Sequence, residues 1–156
     1  MFPDWYQGGF PDIEKLCASL FEPLLTDVAI VPYLPKPDTY EAQLEAGKAF
    51  LRFARTGGRI NHDQNRDEPR VQLAAVAKSR QMSWDLIEFC RQVLWQGFTK
   101  ATVVPTTVHM LHASEEVLGP QLIPENIVEP RLVPITFGLH TWRPAGTSNY
   151  LQALGL

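Results

Sequence analysis

Two stretches of the chain have the 3.6-residue hydrophobic period of an amphipathic helix. The first predicts a helix over residues 11–26, capped by Asp12 and kinked or ended near Pro23. The second predicts a helix from about Gln81 to Gln96, with Ser79 or Ser83 as the cap. The apolar stripe of the first helix consists of Ile13, Leu16, Cys17, Leu20, Phe21 and Leu24.

Shorter apolar or alternating runs predict strands. They cover residues 28–34, 49–55, 70–78, 108–118 and 132–142. The run at 70–78 is almost continuously apolar, which is typical of a central strand covered on much of both faces. The polar segment 56–69 contains a glycine pair and predicts an exposed loop between antiparallel strands, and a helical turn is expected around residues 40–44.

The resulting order α-β-β-β-α-β-β predicts an α+β fold. We expect a two-layer sandwich, in which one mixed or mostly antiparallel sheet carries two helices on a single face. The other sheet face carries polar residues such as Arg52, Gln72, Thr136 and His140, and is open either to solvent or to a partner. We expect one domain over residues 1–156, with its core at about 11–142.

Two terminal segments lie outside this core. Residues 1–10 are aromatic and rich in glycine, and they either cover an edge of the core or dock on a neighbouring subunit. Residues 143–156 form an arm beyond the last strand. The arm ends in spaced apolar residues.

Composition and charge narrow the class of protein. The chain has 156 residues and a net charge of −3, and no cluster of Lys and Arg marks it as a general nucleic-acid binder. We recognise no signal peptide, and no segment approaches the ~18 uninterrupted apolar residues of a membrane span. Cys17 and Cys90 lie on helical apolar stripes, which favours buried free thiols over a disulfide between them.

Candidate reactive residues occur singly. The spacing of His109 and His112 puts their rings on opposite faces of a strand, so one metal ion cannot easily take both. His62-Asp63 has no third ligand nearby in sequence, and segment 56–59 matches no phosphate-binding glycine motif. Glu115 and Glu116 point apart on a strand. The sequence therefore predicts no catalytic residue, no cofactor and no metal site.

Trp84 and Trp95 are the notable aromatic residues of the second helix. They lie partly off its apolar stripe, and their eleven-residue separation returns them to nearly the same helical face. Two interpretations stay open: they pack on the sheet, or they form a hydrophobic contact surface.

Several local segments follow a further pattern, which has two parts. In the first, an acidic loop that contains arginine is followed by a strand, a short turn and a helix with an aromatic-acidic pair. In the second, a Pro-Glu-Asn segment is followed by a basic residue and a final strand. The segments are Arg66–Val71, Ala77–Arg80, Trp84–Leu86, Pro124–Asn126, Pro130–Val133 and Ile135–Leu139. With the order of elements, they resemble the tail terminator proteins of long-tailed (siphovirus-like) bacteriophages over roughly residues 11–142.

The resemblance implies a structural virion protein and not an enzyme. Such a protein forms a ring, usually of six subunits, that caps the tail tube, stops tail polymerisation and joins the tail to the head connector. The implied partners are other copies of the chain, the tail tube protein and a head-tail connector or stopper protein. DNA passes through the lumen without specific binding, no membrane is involved, and the protein is assembled in the host cytoplasm into the head-tail junction of the virion.

Interface candidates follow from this resemblance. The sheet edge at residues 28–34 and the terminal arms are candidates for contacts between subunits, and loop 56–69 is a candidate for contact with the tube or lumen. The individual residues are Arg59, Asn61, His62, Asp63, Arg66, Trp84, Trp95, Arg143, Tyr150 and Leu151. Two alternatives remain: a head-completion or stopper protein of the same neck, and, in a different class, a small α+β ligand-binding domain or enzyme.

Overall fold

A six-stranded sheet organises the chain in a computed structural model that describes residues 1–121 and 129–156. Its strands are β1 (Val28–Ile30), β2 (Ala49–Asn61), β3 (Arg66–Val76), β4 (Thr102–Val103), β5 (Met110–Leu118) and β6 (Val133–Trp142). They lie in the order β1-β2-β3-β6-β5-β4. Only the β1–β2 pair, among the pairs in the described residues, is parallel.

Helices accompany this sheet, and the predicted α+β class is confirmed. They are α1 (Ile13–Phe21), α2 (Pro37–Glu45), α3 (Arg80–Gly97) and the short α4 (Tyr150–Ala153). The predicted cap of α1 is confirmed, because a carboxylate oxygen of Asp12 accepts from the backbone N–H groups of Glu14 and Lys15 at 3.0 and 3.3 Å. Ser79 caps α3 through Met82 N–H.

The main core lies between the sheet and the pair of helices α1 and α3. Apolar residues of both helices join those of β2, β3, β5 and β6 in one buried cluster. Cys17 and Cys90 belong to it as free thiols, as predicted. Burial raises the pKa of each thiol to about 12, so both stay protonated at neutral pH.

A second, smaller apolar cluster brings α2 onto the sheet. Tyr40 and Leu44 of α2 are buried against Phe50 and Val76. Phe50 is next to Leu51 in β2, and Val76 is next to Ala75 in β3; Leu51 and Ala75 belong to the main core. Because successive side chains of a strand point to opposite faces, Phe50 and Val76 lie on the face away from the main core. The sheet therefore has apolar contacts on both faces, α1 and α3 on one and α2 on the other.

Several predicted boundaries were wrong. Segment 56–69 is not a loop, since β2 runs to Asn61 and β3 starts at Arg66. The register of the two strands shifts at a bulge after Arg55. A Cβ atom on Gly58 would come within 2.3 Å of the Glu68 carbonyl oxygen, so the strands can pair here only because residue 58 is glycine. The turn predicted around 40–44 is the whole of α2. The first helix was expected over 11–26 and spans Ile13–Phe21, but its predicted end near Pro23 is confirmed, since Pro23 lies in a 3₁₀ turn.

Other expected elements differ only in extent. The strand expected over 28–34 stops at Ile30, and the arm beyond β6 contains α4. Residues 122–128, which include the Pro-Glu-Asn segment expected before the last strand, lie outside the described residues.

An ionic network, buried at Tyr40 and Glu129, ties α2 to residues 129–131, which precede β6. Glu129 accepts the Tyr40 hydroxyl at 2.6 Å and Arg131 Nε at 2.7 Å. The same guanidinium donates to both carboxylate oxygens of Glu41 on α2, at 3.1 and 2.8 Å. Burial raises the pKa of Glu129, but the hydrogen bonds from Arg131 and Tyr40 outweigh burial and hold this pKa at about 2.

We expect Glu129→Gln to lower the free energy of unfolding by about 2 kcal/mol, because it removes the carboxylate that Arg131 and Tyr40 bind. Urea denaturation measures this change. Glu45→Gln is the matched control, since its ion pair with Lys78 is exposed and contributes little.

The same variant tests the pH dependence. A lowered folded pKa means that the contribution of Glu129 is present above its ordinary value of 4.5 and is lost as pH falls toward about 2. Glu129→Gln should therefore lose less stability than the wild type over that window. Equal losses would contradict the role given to Glu129.

Candidate assembly surface

The β2–β3 hairpin gathers three of the predicted interface residues around one carboxylate. Glu68 accepts Arg59 Nε at 3.0 Å, Asn61 Nδ2 at 3.0 Å and Arg66 Nε at 2.8 Å. These hydrogen bonds, that of Arg66 being the largest cause, lower the pKa of Glu68 to about 2. The sequence did not predict Glu68 as a site residue, because its contact with Arg59 depends on the register of β2 and β3, which places the two residues opposite each other.

The opposite side of the hairpin is tied to α1. Arg55 donates from Nη1 and Nη2 to the two carboxylate oxygens of Asp67, at 2.6 and 2.8 Å, and Asp67 is only 3% exposed. The backbone N–H of Arg55 donates to Glu14 of α1 at 2.7 Å. Charge-assisted, bidentate contacts of this kind fix orientation as well as adding energy, so the base of the hairpin is anchored to the body of the protein.

The tip of the hairpin is exposed. His62 and Asp63 lie in the turn between the strands, and both are exposed to solvent. The turn is supported by Asn61, whose side-chain oxygen accepts from Gln64 N–H at 3.1 Å, and by Asn65, which has a positive φ of 46°. The structure therefore presents these two predicted residues on a hydrogen-bonded turn, beyond the charged cluster around Glu68.

One face of the sheet is richer in arginine than the linear sequence indicates. Arg52, Arg59, Arg66 and Arg70 all fall on the face that carries Gln72, because the bulge after Arg55 resets the alternation of β2. A cleft of about 520 Å³ opens on this face beside the hairpin, lined in part by Arg59, Arg70 and His140. The bulge thus places four arginines along one face, which the linear sequence does not indicate.

Most of these arginines have a partner. Arg59 and Arg66 bind Glu68, and Arg52 Nη2 donates to Gln72 at 2.5 Å. Arg70 is exposed. The face is thus basic in composition, with part of its charge neutralised by its own residues.

The two terminal segments pack on each other. The Tyr150 hydroxyl donates to the Gly8 carbonyl oxygen and accepts from Gln7 N–H at 3.1 Å. The ring of Tyr150 lies 5.4 Å from that of Trp5, and the Arg143 guanidinium lies 5.0 Å over it. We call Phe2, Trp5, Tyr6, Arg143, Tyr150 and Leu151 the terminal cluster.

The terminal cluster leaves much apolar surface in contact with solvent. Phe2 is 69% exposed and Leu151 is 54% exposed. Exposed apolar groups held side by side are typical of surfaces that bind other proteins. The structure thus brings the predicted residues Arg143 and Tyr150 together and leaves Leu151 exposed beside them on α4.

The predicted tryptophans of α3 are also accessible. Trp84 is 36% exposed and Trp95 is 62% exposed. Trp95 lines a cleft between α3 and β5, next to Arg91, which forms an ion pair with Glu116 at 2.5 Å. Both side chains can therefore contribute to a contact surface, which was one of the two interpretations open from the sequence.

No helix in the described ranges 1–121 and 129–156 has the length and apolarity that crossing a membrane requires.

We expect Glu68→Gln to loosen the hairpin locally. The amide keeps the size of the side chain but loses the charge that binds Arg59 and Arg66, so backbone amides at 59–66 should exchange faster. Hydrogen–deuterium exchange mass spectrometry measures this rate.

The denaturation midpoint should fall less than in Glu129→Gln, because the Arg59 side chain in this cluster is 80% exposed and its ion pair adds little to global stability. Glu88→Gln on α3, which loses a pair with Arg91, is the control and should leave exchange at 59–66 unchanged. Unaltered exchange in Glu68→Gln would show that the cluster does not order the hairpin.

Comparison with known proteins gives an identification. The model of the phage tail termination protein family matches residues 9–148, which include α1, the whole sheet and most of the chain. No curated protein matches this chain. The family is a structural phage tail family and not an enzyme family. The chain belongs to the phage tail termination protein family and has a structural role in bacteriophage tail assembly.

Proposed function

We propose that six copies of this chain form a ring that caps the tail tube, stops its polymerisation and joins the tail to the head connector. The observation that carries the proposal is the family match over residues 9–148. The ring lies at the head-tail junction of the virion, is assembled in the host cytoplasm, and uses the whole chain as one domain. The alternative is a head-completion or stopper protein of the same neck, which differs in the partner that it binds.

A ring requires two different contact patches on each subunit, because its interfaces are heterologous. The terminal cluster supplies one candidate patch, since its exposed aromatic residues supply large apolar contact area. The outer edge of β1 supplies another, because β1 is the edge strand next to β2 and an edge strand offers unpaired backbone groups. In the proposed ring, the terminal cluster of one subunit packs near the β1 edge of the next.

The β2–β3 hairpin is the proposed contact with the tail tube. Its base is anchored by Arg55 and Asp67, while His62 and Asp63 at the tip are exposed. A stiff ribbon with a polar tip suits a contact that forms on assembly. Trp84 and Trp95 remain candidates for the surface toward the head connector.

Passage of DNA without specific binding is compatible with the charges on the polar sheet face. Tight, sequence-independent binding of DNA requires several free Lys or Arg side chains that reach phosphates. Here Glu68 neutralises part of the charge of Arg59 and Arg66, and Arg52 donates to the neutral amide of Gln72. The chain as a whole has a net charge of −3, which further disfavours phosphate binding.

We expect native mass spectrometry over a concentration series, with and without tail tube protein, to detect a closed ring. Tyr150→Ala should shift the ring toward monomer, because it removes the side chain that joins Gln7, Gly8 and Arg143. Phe89→Ala is the matched control, since Phe89 is an aromatic residue of α3 that is 39% exposed and lies outside both proposed ring patches. A chain that stays monomeric under every condition would contradict the ring.

The hairpin has its own test, in which tube length is measured by electron microscopy after tube protein polymerises with this protein. Replacing residues 62–65 by a two-residue Asn-Gly turn should leave the fold intact and weaken capping, so that tubes grow longer. Circular dichroism checks the fold of the variant. Unchanged tube lengths would show that the hairpin tip does not contact the tube. Binding of this protein to the head connector and not to the tube would favour the stopper alternative.

A further inference from the structure

We propose that His112 and His140 form a binding site for a divalent transition-metal ion such as Zn²⁺, on the polar face of the sheet. The two residues lie directly opposite each other on β5 and β6. Their Nδ1 atoms are 3.2 Å apart. This site is independent of the proposed ring and of its contacts.

The separation of the two nitrogens suits one metal ion. Zn²⁺ binds imidazole nitrogen at 2.0–2.1 Å in tetrahedral sites, so two such ligands lie roughly 3.3 Å apart. The rings have centroids 5.1 Å apart and planes inclined by 65°. Cross-strand pairing on a sheet holds both backbones, so little rearrangement is needed to bring the nitrogens to a common ion.

The two facing ring nitrogens share one hydrogen bond. Without a metal, one imidazole donates its proton to the other, and two imidazolium rings at this distance would repel each other. A metal ion would replace this hydrogen bond, and the Nδ1 proton of the donating ring would then reside on its Nε2.

The site is open. In the part of the chain that the structure describes, no three residues of the types His, Cys, Asp and Glu are placed to hold a metal ion together. Two histidines thus supply the protein ligands, and water completes the coordination. Trp142 stands edge-on to His140, with centroids 6.5 Å apart, and limits how far that ring can turn.

Imidazole ligands also determine which ions bind. They suit Zn²⁺, Cu²⁺ and Ni²⁺, whereas Mg²⁺ prefers oxygen ligands and keeps its water. A bound ion would cross-link β5 and β6, and binding only to the folded state would raise the melting temperature.

Isothermal titration calorimetry of the full chain with Zn²⁺ at pH 7.5 tests the site. We expect one Zn²⁺ per chain, and loss of this binding in His112→Ala and in His140→Ala. The two remaining histidines give matched controls, since His62→Ala and His109→Ala should keep the binding. Mg²⁺ in place of Zn²⁺ should give no binding.

A second measurement needs no substitution and so does not depend on a variant that folds. Imidazole ¹⁵N resonances of His112 and His140 in the wild type should shift on addition of Zn²⁺, while those of His62 and His109 stay in place. Absence of Zn²⁺ binding by the wild type, or shifts confined to His62 or His109, would overturn the proposal. Either result leaves the ring proposal unaffected, since the ring test contains no metal.

Discussion

The structure depends above all on the antiparallel pairing of β2 and β3. Eleven residue pairs join the two strands, from Phe50–Val76 at the core to Asn61–Arg66 at the tip. The inner half of this ribbon supplies apolar residues to both clusters, and β6 and β1 add to its two sides. The outer half of β2 is largely exposed, and this part of the ribbon carries charged residues. One continuous ribbon thus provides both the centre of the fold and the candidate assembly surface.

The bulge after Arg55 separates these two halves. Before it, Arg55 shares a face with the core residues Leu51 and Phe53; after it, Arg59 and Asn61 share a face with Glu68. Gly58 makes the pairing possible where a side chain would collide with the opposite backbone. A local backbone irregularity therefore decides which arginines meet which carboxylates, Arg55 with Asp67 and Arg59 with Glu68.

The rest of the molecule attaches to the ribbon by different physical means. α1 and α3 attach by burial of apolar stripes, which requires no specific pairing. α2 attaches by the smaller apolar cluster together with the Tyr40–Glu129–Arg131 network, in which each polar group has a charged or hydrogen-bonded partner. The termini attach to each other through Tyr150 and leave apolar surface exposed, which is consistent with a role in contacts with other chains.

The sequence by itself determined the helices α1 and α3 with their caps, because helical periodicity and capping are local properties of the chain. It also determined the α+β class and the buried free thiols, and its local segments suggested the tail terminator family. It did not determine that 56–69 is a strand pair, because a polar, glycine-containing segment is equally typical of a loop. Only the tertiary structure placed Glu68 with Arg59 and Arg66, and His112 with His140. The Arg59–Glu68 and His112–His140 pairs depend on the register between neighbouring strands, and a shift of one residue sends a side chain to the other face.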